Sequence, residues 1–137
     1  MASGKSNTQI SKILNAEFNA TSYSSPATVY AAIWTSTLNA SSTGATAGEA
    51  SYTGYSRVAI TANTTNFPSS SGGSAIQNAT AITFPSNGGS LQTGTFFAIL
   101  DASTSGNILY WGSITSTAIN PGDTQQVAIN GLTVTEA

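Results

Sequence analysis

The chain has 137 residues, 39% of them apolar, with no cysteine, no histidine, only 6% charged residues and a net charge of −2; ordinary soluble domains carry about 25% charged residues. Without cysteine and histidine there are no disulfides, no thiolate or imidazole metal sites and no Ser-His-Asp or Cys-His nucleophile, and three cations are too few to drive phosphate binding. No run of about 18 apolar residues is present to span a membrane, and residues 1–18 lack the apolar core and small-residue cleavage site of a signal peptide. The length suits one domain, and a surface made mostly of Ser, Thr, Asn, Gln and Gly has little charge to keep neighbouring molecules apart.

The first predicted element is a helix over residues 7–19. Ser6 or Asn7 can cap it, and Ile10, Ile13, Leu14 and Phe18 recur at helical spacing with Lys12 and Glu17 turned away. This apolar stripe must bury against the domain's own sheet or a neighbouring subunit. Period two then takes over. In ATVYAAIWTS, residues 27–36, Val29, Ala31 and Ile33 fall on one face and Tyr30, Ala32 and Trp34 on the other, the pattern of a strand covered on both faces. Residues 38–54 have no periodicity and are expected to form a long surface loop.

SRVAITA (56–62), AITFP (from Ala81), GTFFAILD (from Gly94), NILYWGSIT (from Asn107) and TQQVAI (from Thr124) are further strands, separated by Gly, Pro, Asn and Ser turns. The expected fold is mainly β, an antiparallel β-sandwich of jelly-roll type over residues 27–137 with a short N-terminal α-helix, in a single domain. DASTSGN predicts a hairpin over residues 94–114, with Gly106 and Asn107 able to take positive φ. Asn130-Gly131, between Val127 and Ile129 on one side and Leu132 and Val134 on the other, predicts a tight hairpin or a bulge.

FPSSSGGS (67–74) is echoed by FPSNGGS (84–90). Each Gly-Gly is followed by Ser and then strand-like sequence with no Lys, so neither is a phosphate loop. A strand over residues 75–83 would span roughly 30 Å and put the two loops at opposite ends of the sheet. Turn chemistry used twice is the reading.

For catalysis only carboxylates remain: Glu17, Glu49, Asp101, Asp123 and Glu136. A glycosidase needs two of them about 5–9.5 Å apart across a cleft, whereas Asp101 and Asp123 sit in turn sequences where aspartate bonds nearby backbone N–H groups. No catalytic, metal or cofactor site is expected.

The ordered set SSPATVYAAIWTS, GYSRVAITANTTNFPSSSGGSAIQNATAITFP, GTFFAILDASTSGNILYWGSI and INPGDTQQVAINGLTVT, over residues 24–135, resembles a family of small structural proteins of tailed-bacteriophage virions, of tail-fibre-like or capsid decoration type. The resemblance implies no catalytic residues. It implies a non-enzymatic virion protein, first a cement protein on the outer capsid surface with the major capsid protein and its own copies, as a homotrimer, for partners. The alternative is a tail fibre or receptor-binding module for host glycans, with Tyr52, Tyr55 and residues 63–66 as a stacking and hydrogen-bonding surface. Neither nucleic acid nor membrane is an expected partner. The expected contact residues are Ile10, Ile13, Leu14 and Phe18 on the helix, with Tyr110 and Trp111 on a strand that carries bulk on both faces.

Overall fold

A computed structural model describes residues 2–69 and 73–135. In chain order the elements are β1 (Ser3–Lys5), α1 (Asn7–Phe18), β2 (Thr28–Trp34), β3 (Val58–Thr61), β4 (Ala75–Gln77), β5 (Ile82–Thr83), β6 (Gln92–Leu100), β7 (Ile108–Ile119), β8 (Gln126–Val127) and β9 (Thr133–Thr135). The protein is mainly β and antiparallel, with one short N-terminal helix. Five strands form a sheet in the order β1-β7-β6-β2-β3, and two ribbons, β4-β9 and β5-β8, stand apart from it.

The β2 strand sits inside this sheet, paired to β3 on one side and β6 on the other, and its period-two pattern divides the core as the sequence predicts. Ala31 and Ile33 join Ile60, Phe97, Ile99 and Leu109 in one cluster, closed from above by Ile82 and Phe84, with Val127 and Leu132 packed against it. Ala32 and Trp34 join Leu38, Phe96, Ala98, Leu100 and Ile108 in the other. The ribbons form the second layer over the first cluster; it is two short pairs of strands where a jelly roll would carry a continuous sheet.

Two asparagines explain the broken layer. Asn78, 1% exposed, donates through Nδ2 to the carbonyls of Thr80 and Ala128, and its Oδ1 accepts from the Leu132 amide. Its side chain does what a strand ladder would do, so the expected strand over residues 75–83 ends at Gln77 and restarts at Ile82 in the other ribbon. The two FPS loops are therefore not the ends of one strand. Asn87, also 1% exposed, performs the same service in the second loop: Nδ2 reaches the carbonyls of Ser90 and Ile119 and Oδ1 takes the Gly89 amide. Residues 70–72 of the first loop lie outside the described residues.

The β6–β7 hairpin forms as predicted, shifted in register between Gly94 and Phe96 and between Ile99 and Leu100. Its turn closes through the Asp101 amide on the Asn107 carbonyl at 3.1 Å, and positive φ falls on Ser105 (49°) and Gly106 (72°), one residue earlier than expected. Asn130 (φ 61°) makes a turn, but β8 and β9 pair with different partners. The predicted C-terminal hairpin is thus a corner between two ribbons, pinned by the Asn130 amide on the Asn78 carbonyl at 2.8 Å.

Residues 38–54 form the expected long loop, joined to the sheet by a bridge between Trp34 and Glu49, and it is tied down. Leu38, Ala50 and Tyr52 are buried, and the Trp34 indole donates to the Thr46 carbonyl. The anchor is Arg57, whose side chain is 3% exposed. Its guanidinium clamps Glu49 through Nε and Nη2, both at 2.7 Å, gives a further bond from Nη2 to the Gly44 carbonyl, and reaches the carbonyls of Ala102 and Ser105 through Nη1. Gly44 is required here, because a Cβ would run into the Ser105 carbonyl.

Candidate functional site

Helix α1 begins where Ser6, buried, accepts the Gln9 amide at its side-chain oxygen, 3.1 Å away. The Ser6 amide bonds Leu109 and the Asn7 amide bonds Ala40, which fixes the helix at the end of β7. This anchoring also sets its rotation. Gln9 is the buried helix residue, and Ile13 is half-buried. Ile10, Leu14 and Phe18, at a spacing of four, face outward with 36%, 50% and 81% exposure. Of the two expected supports for the apolar stripe, its own sheet is thus not the one used. Lys12, turned from the stripe, lies 3.7 Å from Asp101. Tyr110 and Trp111 on β7 are half-buried; their side chains fall on opposite faces, since Tyr110 pairs with Ile99 and Trp111 with Ala98. The structure brings the helix residues together on one face but does not join Tyr110 and Trp111 to that surface.

Phe18 therefore contributes little to the fold. Phe18→Ser is expected to change folding stability by no more than about 0.5 kcal/mol, checked by urea denaturation followed by tryptophan fluorescence.

Glu17 is exposed on α1, whereas Asp101, Asp123 and Glu49 are spent on structure. Asp101 Oδ1 accepts the Asn107 amide at 2.7 Å and Oδ2 its side-chain amide at 2.9 Å. Asp123 Oδ2 accepts from the Asn120 amide and side chain. The two aspartates sit beyond opposite ends of β7, which at about 3.3 Å per residue separates them by roughly 35–40 Å; they do not face each other across a cleft. Glu49 is held by Arg57 and by the Tyr55 hydroxyl, and Glu136 lies outside the described residues.

Burial works against ionisation of Asp101, but the Asn107 side chain and amide and the Lys12 ammonium outweigh it and hold its carboxyl below the ordinary 3.8. A carboxyl with a lowered pKa contributes stability that is complete above its unfolded pKa and is lost as pH falls through the folded one. The melting temperature should thus drop as pH is lowered from about 4 to about 2, and the curve of Asp101→Asn should be flatter across that window, as thermal melts at each pH would show.

The aromatic and amide groups considered for sugar binding are also engaged internally. Tyr52 is buried with its hydroxyl on the Pro85 carbonyl, and Tyr55 stacks on Phe84 and accepts the Ile33 amide. Burial pushes both phenols above their ordinary range. Asn63 Oδ1 takes the amides of Thr65 and Asn66, and Asn66 bonds the Thr61 carbonyl.

A second surface feature was not apparent in the sequence. Between the layers, on the β1–β7 side, an open cleft of about 530 Å³ is lined by Phe97, Ile99, Tyr110 and Ile114 from the sheet and by Val127 and Leu132 from the segment leaving β8, with no charged residue in its walls. Its residues come from four separate stretches of chain, so no local pattern announces it.

No curated protein matches the sequence. A family model described as podophage GP4 fiber I protein gp80 matches residues 4–135, which includes the helix, both ribbons and all of the sheet but the first residue of β1. With nearly the whole chain covered, the protein belongs to this phage fibre family and is a structural component of a tailed-phage virion.

Proposed function

We propose that the protein is a non-enzymatic subunit of a virion fibre, working through contact area instead of chemistry, with copies of itself, as a trimer, and the virion protein at the fibre's base as partners. The observation that carries this reading is the outward face of α1. Glu49, Arg57, Asp101 and Asp123 are committed to turns and to the Arg57 clamp, whereas Ile10, Leu14 and Phe18 stand exposed on a protein with only 6% charged residues. Ile13 is half-buried beside that face, and Tyr110 and Trp111 lie away from it on β7. The family's description as a fiber I protein supports the fibre reading.

A cement protein on the outer capsid, bound to the major capsid protein, is the second reading. It draws on the same exposed stripe and on the scarcity of cations, three in all, which suits a surface facing away from packaged DNA. Immunogold electron microscopy of purified virions with antibody to this chain separates the two. Gold on tail-associated fibres is expected; gold spread over the head would replace the fibre reading with the cement one.

A further inference from the structure

The core between the two layers is left open at one place. Phe97 and Ile99 are buried in it, whereas Tyr110, Ile114, Val127 and Leu132 are only partly so, and all six line the cleft on the β1–β7 side. Both layers end there in a strand with a free side. Among the described residues β9 pairs only with β4, and the cleft is lined by Thr133, Val134 and Thr135 of β9 but by no residue of β4, so it runs along the unpaired side of β9. Across from it, β1 covers β7 only at residues 110–112, which leaves that edge of β7 without a strand over residues 114–118. The second layer thus stops one strand short of covering the sheet.

We propose that an extended segment of another virion protein enters this cleft and adds to the free side of β9, completing the second layer. Spacing is the first argument. A strand added to β9 lies about 4.8 Å from it and roughly 10 Å above the sheet, the distance at which its inward side chains meet Tyr110 and Ile114. Lining is the second. Half of the cleft residues are Ser, Thr or Gly and none is charged; a wholly apolar ligand would leave the hydroxyls and the β9 backbone unmatched, whereas a strand brings its own amides and carbonyls together with one apolar and one polar face. Main-chain bonds supply the affinity in this mode, so a segment of about five residues serves without a large interface. Open edges are commonly blocked by Lys or Pro, and residues 131–135 contain neither. The donor is a different protein because this chain has no strand to give. Among the described residues its exposed large apolar side chains are Ile10, Leu14, Phe18, Tyr23, Leu91 and Ile129, none of them in a strand, and every strand already has a partner. The donor segment is therefore apolar at every second residue and uncharged where it enters. The inference goes beyond the fibre reading, since such a strand could be received on the tail or on the head.

Thr115 on β7 and Thr135 on β9, both exposed and on opposite walls of the cleft, are replaced one at a time by the photo-cross-linking residue p-benzoylphenylalanine. Purified virions carrying either variant are irradiated, and the cross-linked peptides are sequenced by mass spectrometry. Both positions are expected to capture the same segment of one other virion protein, at points within about five residues of each other, with apolar residues alternating along it. Capture of a second copy of this chain, capture of unrelated segments from the two walls, capture of a segment without that alternation, or no cross-link from either position would each overturn the proposal. In a chain that also carries Thr115→Lys, the cross-link from position 135 should fall at least tenfold while the circular dichroism spectrum of the purified variant stays unchanged, because the new charge blocks the mouth of an uncharged slot; an undiminished cross-link would overturn it as well. The fibre reading is decided separately, by where the gold label sits on the virion.

Discussion

Arg57→Met is expected to remove about 3–5 kcal/mol of folding stability, the scale of breaking a buried ion pair by deleting one partner. That is a large part of the 5–15 kcal/mol that holds a typical domain folded. The guanidinium is 3% exposed and makes five hydrogen bonds, two to Glu49 and three to the carbonyls of Gly44, Ala102 and Ser105. Without it the Glu49 carboxylate, 24% exposed, loses its counter-charge, three carbonyls lose their donor, and the ring of Trp34 loses the cation 5.8 Å from its centre. Arg57→Lys should recover little, because an ammonium reproduces the charge but not the planar fork that serves three strands of chain at once. Urea denaturation of the two variants beside the parent measures both, and proteolysis within residues 38–54 should rise in each, since Arg57 ties that segment to the β6–β7 turn.

Asn78→Leu should cost on the order of 3–6 kcal/mol, from three backbone groups at roughly 1–3 kcal/mol each when left buried and unpaired, partly relieved by relaxation. The substitution keeps the number of side-chain heavy atoms and removes the bonds to Thr80, Ala128 and Leu132, so the measured loss reports lost hydrogen bonding and crowding by the larger methyl groups, not a cavity. Asn78→Asp is the sharper control. Its Oδ1 can still accept the Leu132 amide, but the second oxygen replaces a donor that faces two carbonyls, and at neutral pH it brings a buried charge. Its stability should therefore recover in part as acid protonates the new carboxyl, a trend opposite to that expected from Asp101.

The parts of the fold that were readable from sequence are those whose pattern is local. Alternation in residues 28–34 gave the central strand and both of its faces, because every side chain there meets the core directly. The β6–β7 hairpin was readable because its turn carries Asp, Gly and Asn at the closing positions. What escaped was held together over long sequence distance. Arg57 looked like one of three scarce cations, and nothing near it tells that Glu49 and two distant turns converge on it. Asn78 and Asn87 read as turn formers among many, yet each is a buried bracket between chain segments, at separations up to 54 residues for Asn78 and Leu132. β1, three residues of Ser, Gly and Lys, has no strand signature at all; it forms because the edge of β7 is available to it.

The helix shows the same division. Its stripe and cap were legible from spacing and from Ser6, but which way the stripe points was not, since the amides of Ser6 and Asn7 fix the rotation through contacts with Leu109 and Ala40. Of the expected contact residues, Ile10, Leu14 and Phe18 share one open face and Ile13 lies beside it, while Tyr110 and Trp111 belong to the two sides of the sheet. The cleft needed the folded chain to become visible, because its walls are assembled from β6, β7 and the two ribbons.

Counting copies per particle tests the central claim most directly: quantitative mass spectrometry of purified virions, with the major capsid protein as internal standard. A fibre subunit should be present at a few to a few tens of copies, in a ratio to other tail components that reflects the symmetry of the tail. Several hundred copies, comparable to the shell protein, would contradict the fibre account and place the chain on the capsid.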